Sequence, residues 1–335
     1  MQSSLPLPKD NFPTQIRFFD IRRDLLGVAN LIELCFSDTL NQEGLRYIQQ
    51  MRQAAKNPPL FGFSWLDNQR TALPYLGFVW EEGHQIIGNL TIIPHHSKGG
   101  THYLIANVAV HPEYRRRGIA RLLTERAILY LHQKGVQEVW LHVRDDNPAA
   151  INLYQQLGFQ ENMRRTSWEW NHQPSPSLKE DRSAQTNQLK LNECTIQTRK
   201  SRDWQQHLRW INATYPPQFG WHLNFATECF YPGIKGFFYS SWYDLELRHW
   251  SLYQKGQLIG VVSVEFSSSN SRNIYLALDE KFEDQAAFTL ISFLFDKFAH
   301  QKSWYVDYPA YRAQRPLEIL GFQATQTLIW MSRPT

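Results

Sequence analysis

Cysteine is scarce in this chain. Three residues in 335, Cys35, Cys194 and Cys229, lie far apart. Distant thiols in odd number build neither a disulfide framework nor a CxxC-type metal site, and they fit a reducing compartment. Long apolar runs are also lacking. The longest stretch, Ala286–Phe298, is broken by Thr289, Ser292, Asp296 and Lys297, so no membrane span is expected. The opening MQSSLPLPKDNFP has no apolar core of the secretory kind. Nor is there a large surplus of one charge: 35 Lys and Arg against 31 Asp and Glu leave +4, too little for a nucleic-acid footprint. These lacks predict a cytoplasmic protein with neither membrane nor nucleic-acid partners.

Aromatic residues, in contrast, are plentiful. Twelve Trp, 15 Tyr and 20 Phe make up 14% of the chain, which predicts aromatic-heavy cores, with an aromatic-lined ligand cavity as the alternative. With 42% apolar residues and this length, two packed domains are expected. Residues 171–188, NHQPSPSLKEDRSAQTNQ, have linker composition and divide the chain into 1–170 and 189–335.

The two halves show the same order of signals. Gln15–Asp20 then Arg23–Phe36 reads as strand then helix, and so does Thr195–Arg199 then Arg202–Tyr215. A hairpin follows at Gly83–Ile93 and again at Gly256–Phe266. Tyr103–Val110 matches Asn273–Leu278, each before a long helix, and Val139–Val143 matches Trp304–Asp307. Both halves close with Leu-Gly-Phe, at Leu157–Phe159 and Leu320–Phe322, leading into a last strand. The spacing of matched positions shortens steadily, as loop shortening in one copy produces. A tandem repeat with a period of about 170 residues is the expectation.

The segment Asn107–Phe159 carries the chemistry. A β-branched strand end, Asn107–Val110, leads through His111–Tyr114 into Arg115-Arg116-Arg117-Gly118-Ile119-Ala120, which opens a helix running to about Lys134. Strand, small-residue loop and helix N-terminus together make an anion site, because first-turn amides lack helical acceptors and the helix dipole adds positive charge. Neither a Walker loop nor a GxGxxG fingerprint is present. His95, His96 and His102 have no cysteine or carboxylate in ligand spacing, so an exposed loop is expected there and no metal.

Asn147-Pro148-Ala149-Ala150-Ile151-Asn152-Leu153-Tyr154 followed by Gln155-Gln156-Leu157-Gly158-Phe159 fits N-x-x-A-x-x-L-Y-x-x-x-G-F. With Val108–Ala120, this resembles the GNAT superfamily of acetyl-CoA-dependent N-acetyltransferases across the whole N-terminal half; the C-terminal half resembles the same fold in outline. The resemblance implies two tandem α/β (α+β) domains, each a mixed, mostly antiparallel twisted sheet flanked by helices. It implies that the amides of Arg115, Arg116, Arg117, Gly118, Ile119 and Ala120 hold the pyrophosphate of acetyl-CoA. The backbone of Val108 and Val110 would pair with the pantetheine arm where the sheet splays, Asn147 would contact that arm or orient the loop, and Tyr154 would act as general acid at the sulfur.

The implied activity is transfer of an acetyl group to a primary amine, with a small amine or amino-acid-like metabolite preferred over a protein N-terminus or lysine. No metal is required, and the molecule is expected as monomer or homodimer. An acyl-CoA-binding sensor without catalysis is the rival reading. Many family members carry a carboxylate on the strand before the loop, but Thr101–Val110 has none. Glu33, Glu81, Glu82 or a water chain remain as the base.

Aligning Ala109 with Ala277 sets Arg115, Arg116 and Arg117 against Glu283, Asp284 and Gln285, Gly118 against Ala286, and Ala120 against Phe288. Counting back from the shared glycine, Tyr154 falls on Leu317. The C-terminal half is therefore expected to be a degenerate copy that binds no coenzyme A.

Overall fold

Helix α1 (Ile21–Phe36) begins where the Asp20 carboxylate accepts the N–H of Arg22, a side-chain cap on the first turn. In the computed structural model, residues 11–38, 42–56, 76–97, 100–171, 188–189, 191–223, 227–233, 246–266, 271–301 and 303–335 are described. One face of α1, with Leu25, Val28, Ala29 and Ile32, packs with Ile48 and Met51 of α2 (Gln42–Lys56). The buried Asp24 carboxylate is held by two hydrogen bonds from Arg17, at 2.5 and 2.8 Å.

Two units divide the chain by contacts: Met1–Asn162 with Trp330–Thr335, and Met163–Ile329. In the N-terminal unit, strands β1 (Ile16–Phe18), β2 (Gly77–Glu82), β3 (Gln85–Ser97), β4 (Gly100–Val110) and β5 (Glu138–Arg144) lie in that spatial order. Neighbours are antiparallel as far as β4, and β4 runs parallel to β5. Helix α3 (Ile119–Gln133) makes the crossover between those two. Gly88 on β3 lets α3 approach: a Cβ there would stand 2.9 Å from Ile119 Cγ2 and 3.1 Å from Leu123 Cδ1. Helix α4 (Pro148–Gln156) follows β5. His95, His96 and His102 sit on the β3–β4 hairpin, His95 opposite His102, and not on the loop the sequence suggested.

The C-terminal unit repeats the plan. Strand β6 (Gln160–Asn171) enters it, followed by β7 (Cys194–Thr198), α5 (Trp204–Thr214), α6 (Gly220–Leu223), β8 (Glu246–Gln254), β9 (Gln257–Phe266) and β10 (Ser271–Leu278). Helix α7 (Glu283–Lys297), β11 (Ser303–Pro309), α8 (Gln314–Ile319) and β12 (Gln323–Pro334) as far as Ile329 complete it. The spatial order is β12-β6-β11-β10-β9-β8-β7, with β10 and β11 parallel. Gly260 plays the part of Gly88: its Cβ would meet Leu290 Cδ1 at 3.3 Å and Ala286 Cβ at 3.5 Å. A core of Trp168, Leu276, Leu290, Ile291, Trp304 and their neighbours packs α7 on this sheet.

The closing strands do not stay with the halves that precede them. From Met163 onward the chain belongs to the C-terminal unit, where β6 pairs antiparallel with β11 from Arg165↔Pro309 to Asn171↔Ser303. The end of β12 belongs to the N-terminal unit: Thr335 N–H donates to Gln137 O at 3.1 Å, and Trp330 stacks on His142 at 4.4 Å. An alternating strand pattern fixes which face is buried but not which strand lies alongside. Residues 172–187, most of the expected linker, lie outside the described residues. Among the described residues no helix is long and apolar enough to cross a membrane.

Candidate active site

Strand β4 pairs with β5 only at Tyr103↔Val139, Leu104↔Trp140 and Ile105↔Leu141. Both strands continue past that point without pairing, to Val110 and Arg144, so the sheet opens there. A bulge on β4 marks the opening. Asn107 has φ +51°, its carbonyl accepts Asn89 Nδ2 at 2.8 Å, and its side chain bonds the Tyr47 hydroxyl. Asparagine tolerates this left-handed backbone better than most residues. Burial pushes the Tyr47 phenol up to about 12.

Past β4 the chain turns at His111–Tyr114 and reaches the arginine loop. Arg116 and Gly118 are both left-handed, with φ +62° and +78°. The first helical bond of α3 runs from Leu122 N–H to Gly118 O, so the amides of Ile119, Ala120 and Arg121 have no acceptor within the helix. No atom lies within 4 Å of where a Gly118 Cβ would stand, so the loop presents bare backbone to open space. Donor amides, positive helix end and free access together fit a pyrophosphate.

The three arginines separate. Arg115 Nε donates to Val110 O at 3.2 Å, and Arg117 lies 4.7 Å over the Tyr114 ring; Arg116 is exposed. Cys35 Sγ also donates to Val110 O, at 3.3 Å. The carbonyl of Val110 is therefore taken, by Arg115 and by Cys35. Cys35, Tyr47 and Asn107 were not legible as site residues, because all three act through contacts distant in sequence.

Asn147 caps α4: its Oδ1 accepts Ala150 N–H at 3.1 Å. At the other end Phe159 N–H donates to Tyr154 O at 3.0 Å and Gly158 N–H to Gln155 O at 2.9 Å, with Gly158 at φ +86°. That is a Schellman ending, and the ring pair it brings together is Tyr154 and Phe159, centroids 5.9 Å apart. Burial pushes the Tyr154 phenol well above its ordinary value, so its proton is firmly held. Arg121 Nη2 bonds Gln156 Oε1, which joins the first turn of α3 to the end of α4. Two of the three candidate carboxylate bases are engaged: Glu33 is paired with Arg52, and Glu81 with Arg17 and Arg23, which hold both carboxyls below the usual range; the third, Glu82, is exposed at the end of β2. Among the described residues no three His, Cys, Asp or Glu side chains group as for a metal ion.

In the C-terminal unit the matching opening is closed. Strands β10 and β11 pair from Ser271↔Ser303 to Ile274↔Val306 and then part, yet the buried Tyr215 hydroxyl bridges them. It accepts Leu276 N–H at 3.4 Å and donates to Asp307 O at 3.2 Å. The loop is gone as well, since α7 starts directly at Glu283. Glu283 is bound by the Tyr308 hydroxyl at 2.7 Å and by Arg312. Packing around Gly88 and Gly260 matches Ile119 with Ala286 and Leu123 with Leu290, one residue from the sequence register. Arg116 and Arg117 thus face Glu283 and Asp284, while Ala120 matches Ala287; the expected Phe288 block does not hold. Leu317 does match Tyr154, for Phe322 N–H donates to Leu317 O at 2.9 Å in the same helix ending.

Residues 28–159 match the Acetyltransferase (GNAT) family. The chain is 44% identical over 75 residues to the [Ribosomal protein bS18]-alanine N-acetyltransferase of Escherichia coli K12, covering 22% of this chain and 48% of that one. It is 36% identical over 98 residues to the mycothiol acetyltransferase of Rhodococcus jostii, covering 29% and 28%. The match thus spans about half the length of the first relative and less of the second. Among solved structures, a GCN5-related N-acetyltransferase from Sphaerobacter thermophilus superposes over 97% of both chains with a TM-score of 0.53 at 11% identity.

Proposed function

We propose that this chain, whose residues 28–159 match the Acetyltransferase (GNAT) family, is an acetyl-CoA-dependent N-acetyltransferase that works through its N-terminal unit. The observation that carries this reading is the contrast between two openings of one design. Between β4 and β5 the opening leads to unpartnered first-turn amides and a bare Gly118, whereas between β10 and β11 it is bridged by Tyr215.

Acetyl-CoA, when bound, supplies an activated acyl thioester. The amides of Arg115–Ala120 hold its pyrophosphate, with charge from Arg116 and Arg117 nearby. Val108 offers backbone for the extended arm beside β4. Tyr154 holds a proton through neutral pH for the departing sulfur, and its ring packing fixes the hydroxyl's position. A primary amine with a pKa of about 10.4 arrives mostly protonated and must lose a proton before it attacks. With Glu33 and Glu81 committed to arginines and Glu82 exposed at the strand end, water is the proposed route for that proton. Asn147 serves as the cap of the helix that carries Tyr154.

The acceptor is proposed to be a primary amine, with a small or amino-acid-like metabolite preferred. The named relatives act on a ribosomal protein and on mycothiol, so the panel that tests the reading includes short peptides beginning with alanine beside small amines. Free coenzyme A released only when acetyl-CoA and one of these amines are both present supports the proposal. Saturable acetyl-CoA binding with no release across the panel favours a sensor.

A further inference from the structure

We infer that the C-terminal unit binds a small organic ammonium ion in an aromatic, acid-rimmed cavity beside Tyr215. The cavity holds about 240 Å³ and is walled by Trp168, Tyr215, Tyr275, Tyr305, Ser167 and Asp307. Strand register places its polar side chains together. Asn273 lies opposite Tyr305 and Glu265, Tyr305 opposite Glu169, and Asp307 opposite Ser167, all on one sheet face.

Carboxylates outnumber guanidinium groups on that face among the described residues. Among the described residues, Glu265, Asp307 and Glu169 stand against Arg165, which bonds Asp307, and against Arg199, which is held farther along the face by the Phe230 carbonyl. The other two carboxylates are met by phenols: Tyr275 donates to Glu265 Oε2 at 2.7 Å and Tyr305 to Glu169 Oε1 at 2.8 Å. A phenol that donates a hydrogen bond to a carboxylate has a more electron-rich ring, and ring faces attract cations. Cation and ring already meet once here, where Arg165 lies 4.9 Å over Tyr215. The mouth is open to water, with Tyr305 36% exposed and the Asp307 side chain 41% exposed.

The volume falls below the ~300–1,000 Å³ of pockets for drug-sized ligands, which limits the guest to a few heavy atoms. Anions are repelled by the carboxylates. A neutral guest leaves their field unused. An alkylammonium head satisfies both the rings and the charge, and this reading is independent of any acetyl transfer in the N-terminal unit.

The test is calorimetric titration of the full chain with choline and with its uncharged isostere 3,3-dimethylbutan-1-ol. Saturable choline binding with affinity at least about tenfold above the isostere is expected. Tyr305→Ala, at the exposed rim, and Glu265→Gln should each weaken choline several-fold while leaving acetyl-CoA binding unchanged. Equal affinity for the two probes, choline binding untouched in both variants, or no saturation up to about 20 mM choline overturns the inference.

Discussion

The Tyr215 hydroxyl takes the N–H of Leu276 at 3.4 Å, a backbone donor on the strand edge that stays unpaired with β11. Leu276 is the counterpart of Val108 when Ala277 is set on Ala109. A buried side chain of the C-terminal unit thus occupies the edge that the N-terminal unit leaves open. Arg165 secures it, donating to Thr214 O at 2.7 Å and to Asp307 O at 2.9 Å.

One acetyl-CoA per chain is therefore expected in calorimetry of the intact protein. Removing Tyr215 leaves the acidic pair Glu283 and Asp284 where a pyrophosphate needs cations, so Tyr215→Ala should still bind one. A stoichiometry of two in the unaltered chain contradicts the degenerate-copy reading.

Gly118→Trp should abolish acetyl-CoA binding, because the space beyond Gly118 is empty of protein and an indole placed there fills it. The left-handed backbone at φ +78° makes any side chain costly, by about 1–2 kcal/mol. Gly118→Ala controls for that strain. It should retain binding at somewhat lower stability, and equal loss in both variants points to backbone damage instead of a filled phosphate site.

Tyr154→Phe should keep acetyl-CoA affinity and stability, since the ring pair with Phe159 survives, while turnover falls ~10²–10⁴-fold as general acids typically contribute. Turnover within about twofold of the parent, with an acceptor from the panel, makes Tyr154 a packing residue at the helix end and no more.

The sequence disclosed what repeats locally. Leu-Gly-Phe recurs because Gly158 and Gly321 both take the left-handed turn that ends a helix, and Gly88 and Gly260 recur because a helix crosses each at contact distance. The anion loop was legible for the same reason: amides, glycine and helix start are neighbours in the chain. Tyr215 was not, because its role lies in two contacts, to Leu276 and Asp307, each more than 60 positions away. The register between Ala120 and Ala287 slipped by one, since α7 begins without the loop that precedes α3 and the alignment had no anchor there.

Acid should loosen the C-terminal unit before it affects carboxylates. His207 and His249 are buried neutral: burial, with Arg199 beside both, holds His249 down to about 3 and His207 well below its ordinary value. Their folded pKa values are depressed, so the unfolded chain takes up protons near pH 6.5 while the folded one does not. Their stability contribution is complete above that pH and is lost as pH falls, by up to about 1.4 kcal/mol per pH unit for each histidine. Denaturant midpoints followed by tryptophan fluorescence should drop between pH 6.5 and 5, above the carboxylate range. A flat midpoint across that window refutes this.

Deleting Trp330–Thr335 should cripple the N-terminal unit although the deleted residues follow the whole C-terminal one. These six residues supply contacts internal to the N-terminal unit. Trp330 is buried against His142 on β5, Ser332 Oγ donates to Glu138 Oε1 at 2.8 Å, and Thr335 bonds the backbone at Val136 and Gln137. Buried Arg333 reaches the carbonyl of Leu157, the residue that closes the helix carrying Tyr154. Losing one buried tryptophan alone costs on the order of 3–5 kcal/mol, a large share of a domain's stability. Acetyl-CoA binding and turnover should vanish together in the truncated chain, and the transition assigned to the N-terminal unit should move to lower denaturant. Trp330→Ala is the milder form and should show the same shift with partial activity. A truncated chain that binds acetyl-CoA with unchanged affinity means the N-terminal unit closes without its distant tail, and the exchange of last strands is then no part of its stability.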